Sequence, residues 1–131
     1  MKITVLGTEY EIILNATPEE HPIIRGNDGC VDFTTKKIYV AEMEVTNETW
    51  QNMEDYENAT IRHEIIHAFL QESGLAHNSE WGRNETLVDW IALQIPKMVK
   101  AMDEAGALKV EEETVDYVET KDGRLAVATV K

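Results

Sequence analysis

The most informative feature of this sequence is a pair of histidines four residues apart, with a glutamate directly after the first. The segment reads His63-Glu64-Ile65-Ile66-His67. On a helix, positions i and i+4 lie on one face, so both imidazoles can reach one metal ion while Glu64 stands beside them as a general base. The segment therefore predicts a helix that carries a metal site.

A second polar segment, residues 84–89, supplies what a metal site still needs. It contains Glu85, a plausible third ligand, and Asp89, which could hold a ligating imidazole in place. Two histidines and one carboxylate with an open fourth position are typical of a catalytic zinc site rather than a closed structural one. We therefore expect one Zn²⁺ per chain, bound by His63, His67 and Glu85.

Composition narrows the class of protein. The chain has 131 residues, 43% of them hydrophobic, and a net charge of −13, which predicts a single folded domain over residues 1–131. The negative charge argues against nucleic acid and anionic membrane surfaces as partners. Cys30 is the single cysteine, and neither a signal peptide nor a long apolar run is recognisable. A cytoplasmic location is the expectation.

The hydrophobic pattern changes along the chain and predicts an α+β fold. Residues 1–44 alternate as strands, including a hairpin in which the strands around Val31 and Ile38 are joined by residues 34–37. We expect a small antiparallel sheet packed on the active-site helix and on a second ligand-bearing helix. Residues 46–106 are predicted to be mainly helical, and residues 111–131 a hairpin or a loose tail.

Three helices are predicted in the middle of the chain. Thr46 or Asn47 could cap a short one carrying Trp50 and Met53. Asn58 or Thr60 is expected to open the site helix, which should end at Gly74. Its apolar stripe is predicted to comprise Ile61, Ile65, Ala68 and Phe69. A third helix should start near Asn84 and end at Gly106, with its first half buried on most sides.

The two motifs together resemble a known family. His63-Glu64-x-x-His67 followed by Asn84-Glu85-x-x-x-Asp89 is similar to the gluzincin pattern of thermolysin-like metallopeptidases. The resemblance covers about 27 residues of the chain. It implies that the two histidines and Glu85 bind zinc, that Glu64 is the general base, and that Asp89 steadies His63. The metzincin extension is missing, because Leu70 and Ser73 stand where that subfamily has Gly and His.

The order of the whole chain also looks like small proteins encoded by phages or prophages with a minimal zincin core. The cytoplasmic ImmA/IrrE-type peptidases are a more distant comparison, although this sequence has no obvious helix-turn-helix domain. The implied substrate is a peptide or protein, and the oligomeric state is left open.

The expected reaction follows from zinc chemistry. Zinc lowers the pKa of water towards neutrality, and Glu64 accepts the proton and passes it to the leaving amine. The oxyanion needs another donor, for which His77, Tyr39 and Arg83 are candidates. The strand from Ile38 to Glu42 could pair with an extended peptide if it lies at the sheet edge.

Two other functions remain open at this point. One is a catalytically inactive metal-binding module with an interaction or regulatory role. The other is a zinc hydrolase that acts on a non-peptide amide. Retention of Glu64 favours catalysis, because a structural metal site does not need that carboxylate.

Overall fold

A mixed four-stranded sheet is the framework on which the site is built. The computed structural model describes residues 1–44 and 52–108 and the backbone of two later strands. The sheet has the strand order β1-β2-β4-β3. Its strands are β1 Lys2–Val5, β2 Thr8–Ala16, β3 Gly29–Asp32 and β4 Lys37–Ala41. The pairs β1–β2 and β3–β4 are antiparallel, whereas β2 and β4 run parallel.

The predicted α+β class is confirmed, but a purely antiparallel sheet is wrong. Residues 17–28 carry the chain from β2 past a 3₁₀ turn at Pro22–Ile24, and β3 becomes an outer strand. The β3–β4 hairpin then returns β4 between β2 and β3, parallel to β2. Period-two alternation fixes which side chains share a face, but not the order or direction of the strands.

Three helices follow the sheet in the described part of the chain. They are α1 Met53–Glu72, α2 Leu75–Asn78 and α3 Glu85–Glu104. A further 3₁₀ turn, Trp81–Arg83, lies between α2 and α3. Contacts divide the chain into two compact units, Met1–Ile95 and Pro96–Lys131. The second unit contains β5 Val115–Glu119 and β6 Leu125–Thr129, which pair as an antiparallel hairpin.

The helix α1 starts earlier than predicted. Asn52 caps it by accepting a hydrogen bond from the backbone N–H of Asp55, at 3.2 Å. Glu54 and Asp55 in the first turn complement the helix dipole, which explains a start at Met53 rather than at Asn58 or Thr60. The predicted helix at Thr46 or Asn47 falls on residues 45–51, outside the described residues.

The far end of α1 agrees with the prediction. The helix ends at Glu72, and Gly74 follows in the left-handed conformation with φ +82°. One member of the predicted stripe is misplaced, because the Phe69 side chain is 41% exposed while Leu70 is buried.

The side of α1 that faces the sheet closes the main hydrophobic core. Ala68 is fully buried there, and Ile61 and Ile65 pack against the same cluster. The strands contribute the other buried members, which are Val5, Tyr10, Ile12, Ile38 and Val40. This packing fixes α1 against the sheet and so fixes the direction of the two histidines.

The helix α3 is less buried than predicted. Val88 and Ala92 are buried, but Trp90 and Leu93 are about half exposed, at 55% and 48%. The expectation that its first half is buried on most sides is therefore wrong. Its predicted start and end are close to those observed, since Asn84 accepts from Leu87 N–H at 3.0 Å and Gly106 has φ +69°. No helix among the described residues has the length and hydropathy to cross a membrane.

A polar network ties the end of α1 to the sheet. The carboxylate of Glu72 accepts from the Tyr10 hydroxyl at 2.5 Å and from Thr8 Oγ1 at 3.2 Å. Lys36 Nζ lies 2.7 Å from the same side chain. The hydrogen bonds from Lys36 and Tyr10 hold the pKa of Glu72 below its ordinary value. Because the folded pKa is the lower one, this network stabilises the fold above the ordinary pKa and stops doing so as the pH falls.

We therefore expect Glu72→Gln to melt at a lower temperature than wild type at pH 7 and to show less loss of stability on acidification. The gap between the two proteins should narrow as the pH falls below the ordinary glutamate pKa of 4.5. Glu9→Gln is the control, since Glu9 forms an ion pair with Lys2 in which the Lys2 and Glu9 side chains are 68% and 66% exposed. Thermal melts from pH 7 to 3 measure the effect. A constant gap across that range would contradict the assignment.

Candidate metal centre

Three side chains from two helices bring their donor atoms together. His63 and His67 lie one turn apart on α1, with their Nε2 atoms 3.0 Å apart. At the start of α3, Glu85 Oε2 lies 3.0 Å from His63 Nε2, and Glu85 Oε1 lies 3.0 Å from His67 Nε2. We call His63, His67 and Glu85 the donor cluster. It is the group that the sequence predicts as zinc ligands.

Asp89 fixes the orientation of one imidazole. Its Oδ1 lies 2.6 Å from His63 Nδ1, so the Nδ1–H group of His63 donates a hydrogen bond to the carboxylate. The lone pair of Nε2 is then directed into the donor cluster, as a metal ligand requires. Asp89 can do this because it follows Glu85 by one helical turn on α3. The structure thus brings Asp89 to the position that the sequence predicts for it.

The donor set suits a zinc ion. Two imidazole nitrogens and one carboxylate oxygen are ligands that zinc prefers, and zinc at about 2.0–2.2 Å from each would hold them about 3.3–3.6 Å apart in tetrahedral geometry. The observed separations of 3.0 Å are close to that spacing. One ligand atom from each of the three residues lies within 4.8 Å of the ligand atoms of the other two. The residues present therefore fit the group that the sequence implies.

The Glu85 and Asp89 carboxylates are far more exposed than the two histidines. The side chains of Glu85 and Asp89 are both 67% exposed, contrary to the expectation that an apolar surface surrounds them. The histidines beneath them are 15% and 18% exposed. The imidazoles of the donor cluster are thus partly buried, whereas its side at α3 is exposed, so that a substrate could approach from there.

Glu64 is the buried polar residue of the site. It is 7% exposed, and its Oε1 lies 4.0 Å from His63 Nε2. Burial raises the pKa of Glu64 to about 7; nearby His63 lowers it, whereas Glu85 and Asp89 raise it further. A carboxyl group that titrates near neutrality, beside the donor cluster, is suited to accept and return a proton.

A cavity of about 450 Å³ opens beside Glu64. We call it the site cavity. Residues from the start of β3, from α1 and from α3 line it, among them Asp28, Gly29, Tyr56, Thr60, Glu64, Asp89 and Leu93. On the side of His67 lies a second depression of about 280 Å³, lined by Phe33, Gln71, His77 and Arg83. The donor cluster stands between the two, since Glu85 contributes to both linings.

The outer strand beside the site is β3 rather than the strand predicted from Ile38 to Glu42. That segment forms β4, which is paired on both sides by β2 and β3. At the sheet edge, β3 extends from Gly29 in the site cavity towards Phe33 in the second depression. Pairing of an extended substrate with the sheet edge beside the donor cluster must therefore use β3.

The three candidate oxyanion donors end up in different places. His77 lies in the second depression with its Nε2 2.7 Å from Gln71 Nε2. Arg83 lines the same depression and donates to the carbonyl of Ala76 at 2.7 Å. Tyr39 is 8% exposed and packs with Ala16 and Ile24 in a separate core cluster. The structure does not bring Tyr39 to the donor cluster.

Sequence reasoning missed the residues that form the wall of the site cavity. In the sequence, Asp28 and Gly29 carry only a turn signal, although they lead directly into β3. The Tyr56 hydroxyl donates to Asp28 and so closes the end of the cavity. Tyr56 precedes His63 by two helical turns, and that spacing is the one signal in the sequence that could have placed it on the same face.

Gly29 is a contact residue for the general base candidate. A Cβ atom at Gly29 would lie 2.9 Å from Glu64 Cγ, 2.9 Å from Thr60 Cγ2 and 3.1 Å from Glu64 Oε1. Such distances are shorter than van der Waals contact, and Glu64 is too buried to move aside freely. The absence of a side chain at Gly29 therefore allows β3 to pack directly on Glu64.

We expect Gly29→Ala to destabilise the protein by about 1–3 kcal/mol through overpacking. It should also displace Glu64 and lower any hydrolytic rate, while the zinc content stays that of wild type. Adding Thr60→Ser removes one of the two clashing carbons and keeps the hydroxyl that donates to Tyr56 O at 3.0 Å. This second change should restore part of the stability. Thermal melts and zinc content test the pair, and wild-type stability in Gly29→Ala would contradict the close contact.

Comparison with known proteins adds no further assignment. No family model matches the chain, and neither a curated protein nor a solved structure matches it. The function is therefore argued from the site itself.

Proposed function

We propose that this protein is a zinc-dependent peptidase of the gluzincin type. The observation that carries the proposal is the convergence of His63 Nε2, His67 Nε2 and the Glu85 carboxylate. The two nitrogens lie 3.0 Å apart, and each lies 3.0 Å from one of the two carboxylate oxygens. Asp89 behind His63 and Glu64 beside it complete a set in which every member has a chemical task. The single cysteine is compatible with a cytoplasmic site of action.

When bound, zinc supplies a Lewis acid that polarises the substrate carbonyl and lowers the pKa of water towards neutrality. Glu64 accepts a proton from the water whose oxygen forms the new bond to the carbonyl carbon. As the C–N bond breaks, Glu64 delivers that proton to the departing amine, and the products are a carboxylic acid and an amine. Burial of Glu64 keeps other water molecules away from the proton.

The rest of the site positions the substrate. The outer edge of β3 offers backbone N–H and C=O groups to an extended peptide running between the two depressions. His77 and Arg83 lie on the far side of the donor cluster and are the side-chain donors available there for a developing negative charge. A peptide bond is favoured over other amides because an open sheet edge recognises extended backbone.

The test is a digestion with two classes of substrate. Zinc-loaded protein is incubated with a mixture of peptides and, separately, with non-peptide amides, and new termini or products are identified by mass spectrometry. We expect cleavage of peptides, its loss on chelation and its return when zinc is added. Cleavage of the non-peptide amides alone would replace the peptidase by a different hydrolase. Zinc binding without cleavage of either class would favour a metal-binding module.

A further inference from the structure

We propose that the site cavity binds the side chain of a lysine or arginine residue of the substrate, so that the chain cuts beside a basic residue. This inference rests on the proposed function, because it names the substrate class of the same site. Three observations support it: the lining of the cavity, the burial of Glu64 and the contrast with the second depression.

The lining of the site cavity is acidic. Asp28, Glu64, Glu85 and Asp89 contribute carboxylates, and among the described residues that line it there is neither a lysine nor an arginine. Glu85 is committed to the donor cluster and Asp89 to His63. Asp28 contacts neither the donor cluster nor His63 in this way. Its carboxylate accepts a hydrogen bond from the Tyr56 hydroxyl, which holds it at the cavity wall. Asp28 is therefore the carboxylate available to contact a cationic group.

Glu64 gives independent support for a cationic occupant. Its side chain is 9% exposed, it lines the cavity, and within the described ranges no hydrogen bond reaches its carboxylate. The Nε2 atom of His63 lies 4.0 Å from Glu64 Oε1. A buried carboxylate without a close partner leaves a negative potential that is poorly screened, and a cation in the adjoining cavity relieves it.

The shape and apolar part of the lining select a long side chain. Ala59, Ala92 and Leu93 form an apolar wall beside the carboxylates, in a cavity of about 450 Å³. The methylene stem of lysine or arginine packs on such a wall while its charged end reaches a carboxylate. A small amine would leave the apolar wall uncovered.

The second depression has the opposite character. Arg83 and His77 line it, and Glu85 is its one carboxylate among the described lining residues. The two sides of the donor cluster thus differ in charge, and a substrate is oriented by placing its basic residue on the side of Asp28. The net charge of −13 adds a general attraction for cationic substrates.

The experiment compares peptides that differ at one residue. Peptides of one scaffold, acetylated and amidated to remove terminal charges, carry Lys, Arg, norleucine or Glu at each position in turn. We expect kcat/KM for the best Lys or Arg peptide to exceed that for its norleucine counterpart by about 10-fold or more. Asp28→Asn should reduce this ratio to about 3-fold or less without changing the zinc content. Glu20→Gln, which removes the same charge from an exposed residue outside the cavity lining, should leave the ratio unchanged.

Failure of this inference and failure of the peptidase proposal can be told apart. Cleavage with equal rates for Lys and norleucine peptides, or with a preference for Glu, overturns the inference and leaves the peptidase standing. If no peptide is cut, fluorescently labelled peptides are titrated against the wild-type protein. Tighter binding of Lys peptides that Asp28→Asn abolishes then supports the cavity while the peptidase fails. One additional norleucine peptide of the same scaffold keeps its free amino terminus. A preference for this peptide over the Lys and Arg peptides would assign the cavity to an α-amine and overturn a basic side chain.

Discussion

Glu64→Gln is expected to keep its zinc and lose hydrolysis of any peptide substrate by about 10²–10⁴-fold. The amide has the shape of the carboxylate but cannot accept the proton that the reaction releases. Glu64 lies outside the donor cluster, 4.0 Å from His63 Nε2, so the metal ligands are untouched. Steady-state kinetics and zinc content, measured on the same preparation, check both halves of the prediction.

The fold of the Glu64→Gln variant provides an internal control. Burial raises the pKa of Glu64 to about 7, so the ionised side chain destabilises the metal-free protein at pH 8. Because the folded pKa of this acid lies above its ordinary value of 4.5, that destabilisation builds up as the pH rises from 4.5 to about 7 and is fully present above 7. Metal-free Glu64→Gln should therefore melt no lower than metal-free wild type at pH 8. Glu54→Gln, on the exposed first turn of α1, should leave the hydrolytic rate unchanged. Full activity in Glu64→Gln would contradict the role of Glu64 as the base.

Glu85→Ala is expected to weaken zinc binding by more than about 100-fold, because it removes one of three ligands. The side chain of Glu85 is 67% exposed, so its loss should leave the melting temperature of the metal-free protein close to that of wild type. Asp89→Asn keeps all three ligands and removes the charge behind His63, and it should weaken binding by about 10–100-fold. Competition with a chromophoric chelator measures both affinities.

The order of these two effects is the diagnostic result. If Glu85 binds the metal and Asp89 orients His63, Glu85→Ala is the more damaging change. Glu80→Gln is the matched control, since it is an exposed glutamate outside both depressions. Wild-type affinity in Glu85→Ala would mean that the third ligand comes from another residue.

The residues of the candidate site could be predicted from sequence because the spacing within each pair is local. His63 and His67 are four residues apart, as are Glu85 and Asp89, and one helical turn fixes each pair without reference to the rest of the fold. That the two helices meet is a separate matter, since His63 and Glu85 are 22 residues apart. The prediction that they converge came from the third ligand that a catalytic zinc site needs, and the resemblance to a family supported it.

The parts that sequence reasoning missed all depend on contacts between distant segments. The exposed start of α3 and the parallel pairing of β2 with β4 follow from how the layers meet. The same is true of the fit of Gly29 against Glu64, which joins β3 to α1. Asp28 and Gly29 carry a turn signal in sequence, and nothing in that signal tells which helix the turn will contact. Periodicity describes one segment at a time and therefore leaves the walls of the cavity undetermined.

The most direct test of the metal centre is the zinc content of protein purified without chelator, measured by elemental mass spectrometry. Wild type, His67→Ala and His21→Ala are compared. His21 is the control because it is not a member of the donor cluster, and the centre of its ring lies 5.1 Å from that of Tyr39. We expect about one zinc per chain in wild type and in His21→Ala, and a sharp loss in His67→Ala. Wild type that holds no metal even after zinc is supplied, or His67→Ala that retains it fully, would contradict a zinc site at the donor cluster.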